Sequence, residues 1–339
     1  MVCNKQKRTW LKPSLLRSDA SKLGIVLFLM IAACPPAMAN RKADGISLFR
    51  QQKYAEATKR LAEAVKHQPQ NAVLNFYLGR SLLASNHSET ALIYLKKAAG
   101  LDPGKADYQF WEGLGHWAVM DFEGERRCYL KALKLAPNHL SANLYLGHNY
   151  FDRGDWRKAL VQYDRVLRLD PGYPDALFYR ATVLEKQKRT RAADKAWRRF
   201  LDRYRTGLWA FEAVDRLNQN GDFSYRKFWL GPVKTILPKI SFAGDSDRIN
   251  GQSKAALETV KAALERHPAL SLHIVVYSQG NVRLAKSRAN ALKNYILKSN
   301  PAIRSSRLKP SWFGVPERVD TGNKSHVLKE SVHFITVTH

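Results

Sequence analysis

The chain has little cysteine and little acid: of its 339 residues only three are Cys, and 29 Asp and Glu stand against 56 Lys and Arg. Cys3 and Cys34 fall within the first 39 residues, so Cys128 is the lone thiol beyond them and no internal disulfide can form there. Cys128 lies beside Tyr129 and Leu130 in a helical pattern and is expected to be a small packing residue, not a nucleophile. No Gly-rich phosphate loop occurs, and the ten histidines do not pair at metal-ligand spacing. Asp245 and Asp247 flank Ser246 with no ligand loop around them, which argues against a cation site. With no catalytic constellation, the chain is expected to be non-enzymatic, with neither cofactor nor metal.

Long apolar runs are also missing. The run from Gly24 to Cys34 holds eleven residues, where a membrane span needs about 20. It follows a basic stretch ending at Lys22 and precedes Pro35-Pro36 and Ala37-Met38-Ala39, the layout of an export signal. Three readings stay open: cleavage after Ala39, lipidation of Cys34 in the lipobox-like Ile31-Ala32-Ala33-Cys34, or an uncleaved anchor. Residues 1–39 are read as the signal, and the expected location is the periplasm or outer membrane.

The formal charge is +27, and removing residues 1–39 leaves about +22, spread over both halves of the chain. Such a surface attracts polyanions. Nucleic acid is not expected, because the chain reads as exported and offers no groove-reading helix.

What is present is a repeat. Pro69, Pro103, Pro137 and Pro171 are 34 residues apart, each just past a helical segment that proline stops. Gly45, Gly79, Gly113 and Gly147 stand 24 residues before them. Ala57, Ala91 and Ala159 fill a small position in the second helix, with Glu125 the exception, and Leu61, Leu95, Tyr129 and Tyr163 fill a bulky one. A fifth unit, about 174–207, keeps Ala181, Ala193, Trp197 and Phe200, and Leu208–Leu217 follows as a capping helix with Trp209, Phe211 and Val214 inward.

Leu146-Gly147, Tyr150, Ala159, Tyr163 and Pro171 resemble the tetratricopeptide family pattern, and the other units follow in register. The resemblance implies an α-solenoid over residues 40–219, with a concave groove lined by the first helix of each pair. On the family's geometry the lining is Phe49, Arg50, Phe76, Arg80, Leu83, Phe110, Leu114, Trp117, Leu144, His148 and Phe151. That surface suits an extended protein or peptide partner with apolar anchors, and a carboxylate for Arg50 or Arg80.

After a polar stretch read as a linker, 220–231, the pattern changes. Thr235–Phe242, Leu270–Val276, Leu308–Phe313 and Val327–Val337 read as strands, and Ser253–His267 and Arg283–Leu297 as amphipathic helices. Ala256, Leu257, Val260 and Leu264 face inward from the first helix, and Leu284, Ala289, Leu292 and Ile296 from the second. The result is a small α/β domain of order β-α-β-α-β-β over 232–339.

Asn281-Val-Arg-Leu284-Ala285-Lys-Ser-Arg288-Ala289, Phe242 with Asp245-Ser246, and Trp312-Phe-Gly314 with Glu317 are similar to the OmpA-like family, the peptidoglycan-associating domain of Gram-negative envelopes. The resemblance implies a ligand site at Tyr277, Ser278, Gln279, Asn281 and Arg288, with the arginine pairing a carboxylate of the peptidoglycan stem. The family's aspartate is replaced in Val276-Tyr277-Ser278-Gln279, so a different glycan or peptide, or a role in assembly, stays open. The expectation is an envelope scaffold that docks a protein in the groove and attaches to cell wall or outer membrane. The alternative is an assembly factor whose basic surface binds an acidic polysaccharide.

Overall fold

The computed structural model describes residues 44–322 and 324–338. Residues 1–39, read above as an export signal, lie outside the described residues, Cys34 with them. Among the described residues no helix is long and apolar enough to cross a membrane.

Eleven helices come first: α1 (44–50), α2 (Tyr54–His67), α3 (Ala72–Ala84), α4 (Ser88–Leu101), α5 (Ala106–Ala118), α6 (Phe122–Leu135), α7 (Leu140–Asp152), α8 (Trp156–Leu169), α9 (Pro174–Lys186), α10 (Thr190–Arg203) and α11 (Leu208–Gln219). They pair in the 34-residue register. A Cβ on Gly79 would lie 2.6 Å from the Leu95 side chain, and one on Gly113 would lie 2.5 Å from Tyr129. The same holds for Gly45 against Leu61 and Gly147 against Tyr163, both at 2.8 Å. Each glycine therefore exists to let the bulky residue of the second helix seat on the backbone of the first.

A second element of the period lies in the turn inside each pair. Gln52, Asn86, Met120, Gly154 and Lys188, again 34 apart, all adopt positive φ between 58° and 76°. Only one of them is a glycine, so the array holds four left-handed turns against the preference of an L side chain. In the cap, α11 buries Ala210, Ala213, Val214 and Leu217. Trp209 and Phe211 are only half-buried; Trp209 lies flat on Phe178, centroids 4.8 Å apart, covering the inner edge of the last pair.

The C-terminal region holds β1 (Tyr225–Leu230), β2 (Val233–Pro238), α12 (Lys254–Arg266), β3 (Leu270–Ser278), α13 (Val282–Ser299), β4 (Leu308–Phe313), β5 (Glu317–Thr321), β6 (Lys324–Leu328) and β7 (Glu330–Thr338). It is a mixed α/β region with three short sheets: β1-β2, β4-β3-β7 and β5-β6. In the middle sheet β3 runs parallel to β4 and antiparallel to β7. One face, from Leu272, Ile274, Val276, Val332 and Phe334, packs with Leu257, Val260, Ala289 and Leu292 of the two helices. Leu284 is half-buried, and Ala285 takes its inward place.

Two hairpins were not expected. The last strand, read as one, is split into β6 and β7, with β5 paired to β6. The stretch read as linker contains β1, which turns at Gly231-Pro232 into β2; Gly231 has φ of 64°, as the first residue of a tight hairpin turn requires. This first hairpin serves two cores. Tyr225 and Ile236 belong to the helical core, while Phe228, Leu230 and Leu237 belong to the α/β core.

Candidate functional site

The first helices of the pairs carry a nearly continuous band of aromatic rings, and most of the residues expected to line the groove are part of its packing. Phe49, Phe76, Arg80, Leu83, Phe110, Leu114 and Leu144 are buried; Trp117, His148 and Phe151 are half-buried; Arg50 is exposed. The physical reason is that rings at this register interleave between successive repeats. Phe76 packs on Tyr108 at 4.6 Å, and Phe110 on Tyr145 at 5.7 Å. Arg80 does not offer itself to a ligand carboxylate. Its guanidinium sits in a box of Phe49, Phe76, Tyr77 and Trp111, with centroids between 4.1 and 5.7 Å away.

Toward the C-terminal end carboxylates stand near the rings of Tyr179 and Tyr163. Burial, and then the charges of Asp175, Asp152 and Glu212, push the Tyr179 hydroxyl above its usual range. Tyr163 is raised by burial and by the same Asp152 and Asp175. Next to these rings His148 accepts or donates a hydrogen bond at 2.8 Å with the Tyr163 hydroxyl, and burial lowers its pKa to about 3. Glu185 and Glu212 flank Arg216 at 3.2 and 3.1 Å. Asp152 and Glu212 are exposed and Asp175 and Glu185 half-buried. The apolar pattern that marked the groove passes over these carboxylates, although Asp107 and Asp175 occupy the same register two repeats apart.

In the α/β region the residues carried over from the OmpA-like resemblance are brought together but turned to internal work. Arg288 is buried; it donates from Nε to the Ser246 carbonyl at 2.9 Å and from Nη2 to the Gly244 carbonyl at 2.8 Å. Nη1 pairs with Glu330 at 2.9 Å, and the guanidinium lies over Phe242. Asn281 caps α13, accepting from the Leu284 amide at 2.9 Å. Tyr277 stacks on Phe313, Ser278 is buried, and exposed Gln279 bonds through its backbone to Lys329. Asp247 accepts from Ser287. Between the cap and this region lies a cavity of about 430 Å³, bordered by Arg198, Phe223, Arg226, Phe228, Lys239 and Glu330.

One donor group escaped the reading of histidine spacing. Glu112 and His116 on α5 and Cys128 on α6 place one donor atom each within 4.8 Å of one another. Burial, followed by the nearby Glu112, pushes the Cys128 thiol up to about 12, so it is no nucleophile.

The helix pairs, their glycine contacts and their period define the architecture, and the family comparison agrees. Tetratricopeptide repeat models match residues 43–106 and 175–206, and a TPR repeat model matches 147–188. The chain carries tetratricopeptide repeats. Among solved structures, the array is similar to a MamA protein, at 18% identity and a TM-score of 0.46 over 54% of this chain and 94% of that one. It is also similar to MamA from Desulfovibrio magneticus RS-1, at 15% identity and 0.47 over 50% and 96%. YrrB, described as a TPR protein with an unusual peptide-binding site, shares 17% identity and a TM-score of 0.46 over 51% and 89%. Comparison with curated proteins finds no match. Tetratricopeptide repeats are typically binding scaffolds without catalysis, and this fold implies protein or peptide binding.

Proposed function

We propose that the repeat array is a scaffold that receives an extended, basic peptide segment along the C-terminal half of its inner face. The observation that carries this is that Asp152, Asp175 and Glu212 are near enough to raise the buried Tyr179 hydroxyl, Asp152 and Glu212 being exposed, in a chain whose net charge is +27. Carboxylates suit lysine and arginine side chains by charge, and the half-buried rings of Phe151 and Trp209, which pack on Tyr179, offer surface for cation–π contact. The buried box around Arg80 leaves little for a ligand carboxylate at the opposite end. Fluorescence anisotropy with labelled extended peptides tests the reading. Basic peptides with spaced aromatic or aliphatic anchors should bind at least tenfold tighter than their Glu-substituted versions, and Asp152→Asn with Asp175→Asn should erase the preference. Equal binding of acidic peptides would refute it.

A second reading concerns place. The leader pattern, and the parallel β3-α13-β4 unit with β7 antiparallel on the other side of β3, are what favour attachment to the bacterial envelope through a divergent OmpA-like domain, although β2, the strand expected to open its sheet, pairs with β1 instead. The internal engagement of Arg288 means that such attachment would use another surface of the domain. Pull-down on purified sacculus, with and without high salt, separates wall binding from binding to acidic polysaccharide.

A further inference from the structure

We propose that Glu112, His116 and Cys128 form a binding site for one divalent zinc-like metal ion inside the third helix pair. The three donors are a carboxylate, an imidazole and a thiol, each offering one atom, all within 4.8 Å. Glu112 Oε1 and His116 Nε2 are 3.6 Å apart. Two donors of a tetrahedral zinc ion at about 2.0–2.3 Å from the metal stand roughly 3.3–3.7 Å apart, so the Glu112–His116 spacing already fits, and Cys128 lies within a side-chain adjustment of it. Glu112 is half-buried and the other two buried, leaving an edge for a fourth ligand such as water.

The surroundings are those of a metal-ligating histidine. His116 Nδ1 bonds Asp121 Oδ2 at 2.7 Å, which fixes the ring and leaves Nε2 facing Glu112. Asp121 is itself held, since its Oδ1 accepts from the Gly124 amide at 2.9 Å. A Cβ on Gly124 would fall 2.3 Å from His116 Nδ1 and 2.4 Å from Asp121 Oδ2, so any side chain there would break the histidine–aspartate bond.

The repeat supplies an internal control. At the registers of Glu112, His116 and Cys128, the preceding pair has Leu78, Leu82 and Tyr94, and the following pair Leu146, Tyr150 and Gln162. At the register of Gly124 these pairs have Thr90 and Lys158. The third pair thus departs from its neighbours at all three donor positions and at the glycine that makes room for them. Packing alone has no use for that set, because the neighbouring pairs fill the same space with apolar or larger side chains.

The test uses the full, untagged chain with Cys3→Ser and Cys34→Ser, so that Cys128 is its sole thiol. After dialysis against chelator, zinc uptake is measured by equilibrium dialysis with elemental analysis, and cobalt(II) is added as a spectroscopic probe. The expected result is one zinc per chain, and a cobalt spectrum with a thiolate charge-transfer band and four-coordinate visible bands. Cys128→Ser should remove the charge-transfer band and His116→Gln should weaken zinc by at least 100-fold. Asp121→Asn, which leaves all three donors, should weaken it by about 10–100-fold. Absence of the thiolate band in the parent chain would overturn the proposal without reference to any variant's folding. So would zinc binding that survives Cys128→Ser and His116→Gln unchanged, which would assign it to other histidines.

Discussion

Replacing Glu317 by Gln should destabilise the α/β region far more than loss of an ordinary surface ion pair. Glu317 on β5 takes two parallel hydrogen bonds of 2.8 Å from the Arg226 guanidinium on β1, and the side chains are only 10% and 12% exposed. Burial alone would push the Glu317 carboxyl up, but the Arg226 hydrogen bonds and charge outweigh it and hold its pKa low. Glu317→Gln leaves a largely buried guanidinium with one neutral acceptor in place of a carboxylate. Breaking a buried pair from one side costs about 3–5 kcal/mol, whereas an exposed pair is worth about 1 kcal/mol or less. Replacing both partners, Arg226→Met with Glu317→Leu, removes both desolvated charges and should recover most of the loss. Urea unfolding followed by near-UV circular dichroism, in a double-mutant cycle, measures each term. A loss below about 1 kcal/mol for Glu317→Gln, or a double variant as unstable as the single ones, would refute the reasoning.

Met120→Gly should raise stability by about 1 kcal/mol, because Met120 holds φ of 64° on an exposed turn, and Gly154→Ala at the equivalent turn should lower it by a similar amount. Thermal melts of the two variants check both signs. Gly113→Ala should cost about 1–3 kcal/mol through collision with Tyr129, while Gly100→Ala, with nothing within 4 Å, should be neutral or stabilising. Urea midpoints compare them. Stability should also fall as pH drops below about 6.5. Burial lowers the pKa values of His148 and His333, so the folded chain binds fewer protons than the unfolded chain until their folded values are passed. The slope should reach up to about 1.4 kcal/mol per pH unit for each group, and His148→Gln should flatten it. Urea titrations at pH 7, 6 and 5 give the measurement.

The helical half was legible because its cause is periodic. One proline stop and one glycine contact recur every 34 residues, and no other packing makes both useful at once. The strands were legible where their apolar runs are long, as in Leu270–Ser278, and not where charge interrupts them. Tyr225-Arg-Lys-Phe-Trp-Leu230 hides its pairing behind Arg226 and Lys227, whose partners lie on other elements, Glu317 on β5 and Asp215 on α11. Glu317–Thr321 has no apolar alternation at all. Which of the expected groove residues are exposed was not legible. Burial of Phe76, Phe110 and Arg80 depends on contacts between neighbouring repeats, which a single unit's pattern does not report. The donor trio was visible only by aligning the repeats and asking where one departs from the others.

The hairpin of β1 and β2 bears on how the molecule can be divided. Because Tyr225 and Ile236 complete the helical core while Phe228 and Leu237 complete the other, severing the chain at Asn220 would strip both pieces of apolar cover. The released array would end in a raw greasy patch beside Ala213 and Leu217, prone to self-association, so affinities measured on such a fragment would report sticking as well as recognition. A cut after Pro238 would keep the hairpin with the array and shift the damage to the α/β core, which would lose Phe228, Leu230 and Leu237.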